Sequence, residues 1–585
     1  MRIFKIIEDE IHEYQTGQVT ISDGYSFSEW ALKKRILIYL NNHYPEGKLD
    51  SQGNYKYWPD IGTPRTDAEV KNVDFDTKDI LLYTDPPSMN DSTALFISNA
   101  KLKRWLRDTG QGILMNDAIE DGSDWGNYVW KKVKGGYEGW DPMNFYITNQ
   151  TARTLEETAV IERHEMSQSD LRAKKGVWNS DNVDTVIKEL GSKIRKAKKD
   201  VANTEDDQET TNPFYEIFER NGEVSLAVLK EAQGKKFTDK DEEEFVLAKV
   251  VTAGLNPGAR DKTESKYTLY AEKLTGDMCD IYKEYHRGRY TGRWMRKGTR
   301  EILFDIQTRA CELFNEIALG NEYSLKILLR SGDKLIAQNV FTDMLNGDIV
   351  KSTDLQQIQM QMPGLVGAMQ EWNNLMVLAD KLCNSYEVVQ GETPANIPFR
   401  LGALVNQNAN KLFDFLREKW GLAFEAVISE WIVPTLITEL KTQEIIELSG
   451  DHDFMEKYFK TIAKAWYIKN LLQIGPHTKE QAQLLMDSKV EELRQRPMQL
   501  VKYEKEMFAG FKPKAKVVIT GENIRLAQNV ESWGSLIQFE QDPVRRSAMI
   551  ERVGSLVMPD VDIASLPKST PEQLAGKLTP APQPA

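Results

Sequence analysis

Hydrophobic positions along this chain change their period several times. Over residues 302–317, Ile302, Ile306, Ala310, Leu313 and Ile317 recur at three- and four-residue steps, which places them on one helical face. Asp305, Arg309 and Glu316 fall off that stripe. The run just ahead is basic: Lys283, Arg287, Arg289, Arg293, Arg296, Lys297 and Arg300 stand against Glu284 alone, punctuated by Gly288, Gly292 and Gly298. On residue physics this is a basic surface loop leading into a packed helix, because charge runs are usually solvated faces.

Residues 1–44 read as helix with a break around Thr16 to Ser28, and the second piece carries Trp30, Leu32, Ile36, Leu37 and Leu40. Between 45 and 90 the period is lost and Gly and Pro cut the chain into loops and short strands. Residues 91–163 mix α and β. A helix ends at Gly110, and alternation over 127–141 with a turn at Gly135-Gly136 predicts a hairpin. Short strands follow at Pro142 to Tyr146 and Thr158 to Arg163. A helix opened by a serine lies within 166–176. The next, from 181, has a basic end at Lys188, Lys193, Arg195, Lys196, Lys198 and Lys199. The acidic run 203–211 reads as a loop or linker.

Residues 213–275 are richest in β pattern, predicted as strand, Asn221-Gly222 turn, strand, then two more strands. From 319 onward helices dominate. The Gln- and Met-rich 355–362, with Pro363 and Gly364, reads as a loop. A long helix over 403–440 puts Leu412, Leu416 and Trp420 on one stripe and is kinked or ended by Pro434. Amphipathic helices at 452–472 and 478–496, a β segment at 511–521 and two helices split at Asp542-Pro543 complete the ordered pattern. The tail 567–585 is rich in proline and small residues and is expected to be disordered. The fold class is α+β, mainly helical, with no internal repeat.

Composition narrows the function classes. A chain of 585 residues suggests three to four domains, and 28% charged with 41% hydrophobic residues suits a soluble globular protein. A net charge of −13 argues against indiscriminate coating of nucleic acid, yet allows a local basic surface. Cys279, Cys311 and Cys383 are widely spaced, as expected for small core residues in a reducing compartment. The start MRIFKIIEDE carries acids too early for a signal peptide. The most apolar window, AFEAVISEWIVPTLI, holds Glu425, Glu430 and Pro434 and reads as too short and too charged to span a bilayer. No membrane is expected, and folding is expected in the cytoplasm.

Little in the sequence carries chemistry. There is no phosphate-cradling GxxxxGK[ST], no GxSxG and no HExxH. Asp451-His452-Asp453 reads as a solvated turn, since three consecutive residues do not all face one ion in regular structure. The thirteen tryptophans, such as Trp30, Trp420 and Trp466, fall in amphipathic patterns that read as core packing rather than base stacking. The expectation is no catalytic residue, no metal and no cofactor. The rival reading is a metal-dependent DNA-processing enzyme, a nuclease whose scattered acids converge on Mg²⁺. A third is a monomeric helical scaffold whose 302–317 helix packs within its own chain.

Three stretches resemble one family. The run GRYTGRWMRKGTREILFDIQTRACELFNE is similar to a segment of tailed-bacteriophage portal proteins, in which a Gly-Arg-rich lead enters a helix of the type E-x-L-F-D-x-Q-x-x-x-N. WKKVKGGYEGWDPMNFYITNQTARTLEETAVIERHEMSQSDLR resembles a wing pattern of paired strands followed by V-I-E-R-H and a helix. EWNNLMVLADKLCNSYEVVQGETPANIPFRLGALVNQNANKLFDFLREKWGLAFEAVISEWIVP resembles the family's GE-x-P-like loop and long helix near W-I-x-P. Together these cover most of 125–440. The resemblance implies a homo-oligomeric ring, dodecameric in the family, at a unique capsid vertex of the virion and assembled in the host cytoplasm. Double-stranded DNA would be packaged and ejected through it without sequence preference. Partners would be the large terminase, the major capsid or scaffold protein and a head–tail adaptor.

The implied layout is a wing part at 1–180, a descending stem helix and linker at 181–212, and a β-rich clip at 213–280. The basic lead and ascending stem helix follow at 281–320, then a second wing part with tunnel loop and long helix at 321–500, a helical crown at 501–566 and a tail at 567–585. Candidates for the DNA channel or for pairing between subunits are Lys193, Lys196, Arg289, Arg293, Arg296, Lys297 and Arg300, with Ile302, Ile306, Leu313 and Ile317 packing the stem helix. The C-terminal region matches the family less well.

Overall fold

The computed structural model describes residues 2–325 apart from 50–52, 54, 74, 76–79, 84–91, 191–213 and 256–264. Beyond 325 it describes 328–331, 355–358, 364–383, 411–439, 445–447, the helical residues 456, 459–460, 463–464 and 466–467, then 479–494, 500–502, 511 and 513–517. Lys193, Lys196, the acidic run 203–211, most of 321–363, the 542–543 split and the tail lie outside the described residues.

The N-terminal pattern gives α1 (Arg2–Thr16), whose Ile3, Ile7, Ile11 and Tyr14 repeat every three or four residues and are buried. The break is a hairpin of β1 (Val19–Ser22) and β2 (Tyr25–Phe27), and Ser28 then caps α2 (Glu29–Leu40) by accepting from the Ala31 N–H. On its inner face Glu29 and Lys33 are fully buried as an ion pair at 3.2 Å. Tyr14 donates to Glu29 at 2.7 Å and Lys33 donates to the Phe145 carbonyl at 2.8 Å, so most of the pair's polar atoms are satisfied. After α3 (Thr63–Val73) and β3 (Ile80–Tyr83) come α4 (Ser92–Asp108) and α5 (Gln111–Trp125), joined at Gly110 in the left-handed region with φ 64°.

The hairpin expected around Gly135-Gly136 is β4 (Asn127–Val133) with β5 (Gly136–Gly139), and β11 (Tyr282–His286) adds to the other edge of β4. The basic lead therefore begins as a strand. A second, antiparallel sheet of five strands has the order β10-β9-β8-β7-β6, built from β6 (Phe145–Ile147), β7 (Val160–Ser167), β8 (Phe214–Ser225), β9 (Phe245–Ala253) and β10 (Tyr267–Lys273). α6 (Gln168–Ala173), opened by a Ser167–Asp170 capping box, and α7 (Ser180–Glu189) cover Tyr215, Ile217, Val251, Ala253 and Leu269. α8 (Leu226–Ala232) and α9 (Lys240–Glu243) lie between β8 and β9.

Two expectations change here. Asn221-Gly222 is not a turn, because β8 runs straight through it against β9, Asn221 opposite Lys249 and Gly222 opposite Ala248. A side chain at 222 would lie 2.3 Å from the Ala159 Cβ, so glycine serves close strand contact there instead of a bend. In addition, β8 pairs with β7 over residues 214–221, so strands drawn as a separate clip share one sheet with strands drawn as wing. Lys131 on β4 links the two sheets. It is held, half-buried, between Glu162 on β7 at 2.7 Å and Glu219 on β8 at 2.8 Å. Burial would raise the Glu219 carboxyl, but Lys131 and Lys249 hold it well below the ordinary range.

The 302–317 stripe is part of α10 (Thr299–Leu325), and α11 (Gly364–Cys383) packs along it. β12 (Leu328–Ser331) and β13 (Leu355–Ile358) pair between them, so part of the Gln-rich run is strand. The long helix is α12 (Lys411–Val427), a π turn at Ile428–Ile432, and α13 (Val433–Glu439). Pro434 does not end it. Proline cannot donate and its ring crowds the carbonyl four residues back, and the Val433 N–H bonding to Ile428 gives the wider turn that accommodates this. The continuous helix Phe413–Thr438 is thus long and apolar enough to cross a bilayer by length and composition, more so than the sequence window implied. Much of its apolar side is used within the protein: Trp420, Phe424, Val427, Ile428, Trp431 and Ile432 are buried in the main core. β14 (Ile445–Glu447) pairs with β15 (Leu500–Lys502), and α14 (Lys479–Arg494) lies between them in sequence. Finally β16 (Lys514–Val517) returns to pair with β3, antiparallel, and the Ala515 N–H donates to Ser429 at 2.8 Å.

Candidate functional site

The lead 287–300 threads between α3, α5 and the start of α10, and its charges are inside. Arg287 is buried against Glu69 on α3, with Nε to Oε1 at 3.0 Å and a terminal nitrogen to Oε2 at 2.8 Å, while Thr299 adds a hydroxyl to the same carboxylate at 3.2 Å. Burial alone would lower the Arg287 pKa, but the adjoining carboxylate overrides it and the pKa is raised. One terminal nitrogen of Arg293, a residue 2% exposed, donates to both Glu301 oxygens at 2.7 and 2.6 Å, and the guanidinium lies over the Phe27 ring. Arg300 reaches three side chains: Asp124 at 2.8 Å, Asp60 at 3.2 Å and the Thr63 hydroxyl at 2.9 Å. Arg296 donates to the carbonyls of Arg293 and Arg153 and packs on Tyr290, and burial lowers its pKa.

The glycines have steric reasons. A Cβ on Gly126, whose φ is 83°, would sit 2.4 Å from the Arg296 carbonyl, and one on Gly298 would sit 2.2 Å from the Asp124 carbonyl. The C-terminus of α5 and the N-terminus of α10 therefore meet backbone to backbone. Below this junction Tyr285 stacks on Trp420 with ring centres 3.6 Å apart, and Trp294 stacks on Phe145 at 6.0 Å.

This corrects the expected surface loop. Arg293, Arg296 and Arg300 are buried and occupied by partners in their own chain, so they are not presented to phosphates or to a neighbouring subunit. Arg289 and Lys297 are exposed. The missed signal was Trp294 and Met295 among the cations, both fully buried, which mark an interior segment. The partner acids Asp60, Glu69 and Asp124 are far away in sequence and could not be assigned from it.

Of the helix residues, Ile306 and Leu313 are buried, and Ile302 and Ile317 are half-buried. Ile306 packs with Leu303, Ala310, Ala379 and Cys383 between α10 and α11. Arg309–Glu371 at 2.9 Å and Arg65–Asp380 at 2.6 Å fasten α11 further. Its other sides remain apolar and bare: Val366 is 71% and Val377 51% exposed, with Met369, Leu378 and Leu382 close behind.

A separate cleft of about 1000 Å³ lies beside α10, walled by Tyr39, Tyr44, Tyr55, Tyr57 and Trp58. On α5, Asp121 is pushed up to about 7 by burial and by Asp124, Asp117 and Glu120. Among the described residues no group of three or more His, Cys, Asp or Glu is placed to hold a metal ion. No family model matches this sequence, and no curated protein matches it significantly.

Proposed function

We propose that this chain is the repeating subunit of a portal, a ring at one capsid vertex through which double-stranded DNA enters and leaves. The reading rests on the sequence resemblance and is carried structurally by one observation. The arginine lead enters a 27-residue helix, α10, whose base is clamped by buried ion pairs, while its companion α11 leaves apolar sides bare. A ring subunit needs both features: a rigid strut and an uncovered seam for its neighbour.

In this reading the buried arginines carry load rather than DNA. A channel that DNA slides through must not grip it, since each phosphate neutralised steepens the salt dependence by about one unit of slope. Within the lead, Arg289 and Lys297 are the exposed cations available for weak, sequence-blind contact. The ring docks the large terminase during packaging, then the head–tail adaptor, within a shell of capsid or scaffold protein. ATP chemistry belongs to the terminase.

The test is negative-stain electron microscopy of the purified chain together with its mass in solution. Closed rings with a central hole are expected. A chain that stays monomeric even with capsid scaffold protein present, or one that cleaves DNA when Mg²⁺ is added, overturns the proposal in favour of a scaffold or a nuclease.

A further inference from the structure

The cleft beside α10 is not used by the ion-pair junction or by the α10–α11 contact. It lies between the end of α2, the described residues Tyr44–Glu46 and Tyr55–Trp58, and the middle turns of α10. Its wall is a set of aromatic rings held edge to face: Tyr39 on Trp58 at 5.4 Å and Tyr44 on Trp58 at 4.8 Å. The wall is braced from behind. Tyr39 donates to the Phe304 carbonyl at 3.1 Å, and Tyr44 donates to the Tyr57 carbonyl at 2.7 Å. Asn315 on α10 accepts from the Tyr57 N–H at 2.8 Å and donates to its carbonyl at 2.9 Å. Tyr55 and Tyr57 are nonetheless 74% and 60% exposed. Their hydroxyls and the Trp58 indole N–H make no hydrogen bond among the described residues.

Rigid aromatic ridges with free donors match one ligand chemistry well. Proline-rich backbone is pre-set to an extended left-handed helix, lays its rings between aromatic rings, and offers carbonyls that have no internal partner. This chain contains such a segment. Its last nineteen residues, 567–585, hold Pro567, Pro571, Pro580, Pro582 and Pro584. Lys577 stands just ahead of the Pro580–Pro584 run, and Glu46, Glu312 and Glu316 line the cleft beside Arg35 and Lys56. The segment has the chain length to search for a site. Val517 is the last described residue, and the fifty residues from there to Pro567 could span up to about 165 Å.

We infer that the Tyr/Trp-walled cleft beside α10 is a docking site for proline-rich sequence, and that its occupant is the chain's own C-terminal segment 567–585.

The experiment uses the full-length protein carrying a photo-crosslinking benzoyl-phenylalanine in place of the exposed Tyr55. After irradiation and trypsin digestion, crosslinks are expected on the peptides ending at Lys577 and at Ala585. Replacing Pro580, Pro582 and Pro584 by glycine is expected to lower that yield about tenfold, as is excess synthetic 567–585 peptide. The thermal melt of the glycine variant is expected to match the parent, which separates lost docking from lost folding. Crosslinks confined to other parts of the chain, or to a proline-rich partner from the expression host, overturn the assignment. So does a yield that the glycine changes leave unaltered.

Discussion

Arg287 and Glu69 illustrate why residue environment matters more than charge count. Both are under a tenth exposed, and each satisfies the other. Replacing Arg287 with methionine leaves a buried carboxylate without its cation, which costs about 3–5 kcal/mol. The double change Arg287→Met with Glu69→Gln is expected to cost clearly less than Arg287→Met alone, as urea melts can show. Asp121 behaves in the opposite sense. Its carboxyl, at about 7 when folded and near 3.8 when unfolded, favours the folded state at low pH, and that contribution is lost as pH rises from about 4 to 7. Asp121→Asn is therefore expected to stabilise the protein by up to a few kcal/mol above pH 7 and to change little below pH 4, read from denaturant midpoints at both ends of that range.

At the scale of elements, close backbone approach decides what the sequence pattern leaves open. Gly126→Ala puts a methyl against the Arg296 carbonyl at a φ of 83°. A loss of about 2 kcal/mol or more is expected, measured as a lowered melting temperature. The elements that were legible had period and punctuation in agreement. The stripe Ile302 to Ile317 became α10, Gly135-Gly136 became a hairpin, and the serine-opened helix became α6 with its capping box. The elements that were misread had local signals overruled by distant partners. Asn221-Gly222 has turn chemistry, but Ala159, just ahead of β7, requires the glycine for packing. The basic lead read as a solvated loop because the carboxylates that hold Arg287 and Arg300 are supplied by α3, α5 and the loop before α3. Pro434 read as a kink or an end because a π turn has no sequence period of its own.

The whole molecule turns on how α10 and α11 are covered. Ile306→Asp places a carboxylate between them, where Ile306 is 7% exposed, and is expected to destabilise the subunit by about 3 kcal/mol or more before any assembly is considered. Val377→Arg is the sharper probe of the ring. Val377 is 51% exposed, so folding stability is expected to stay within about 0.5 kcal/mol while the yield of rings falls, as sedimentation and microscopy would show. Wild-type ring yield from that variant would remove α11 from the seam. A different consequence follows from the pairing of β16 with β3, which joins residues 80–83 to residues 514–517. During synthesis the earlier strand leaves the ribosome more than four hundred residues ahead of its mate, a wait of roughly 20–90 s at ordinary elongation rates. Throughout that interval an apolar strand edge stands open, where it can template pairing with the nascent chains beside it. The closing strand acts as a late latch, and polysome crowding, temperature and chaperone supply are expected to govern how much of this protein matures.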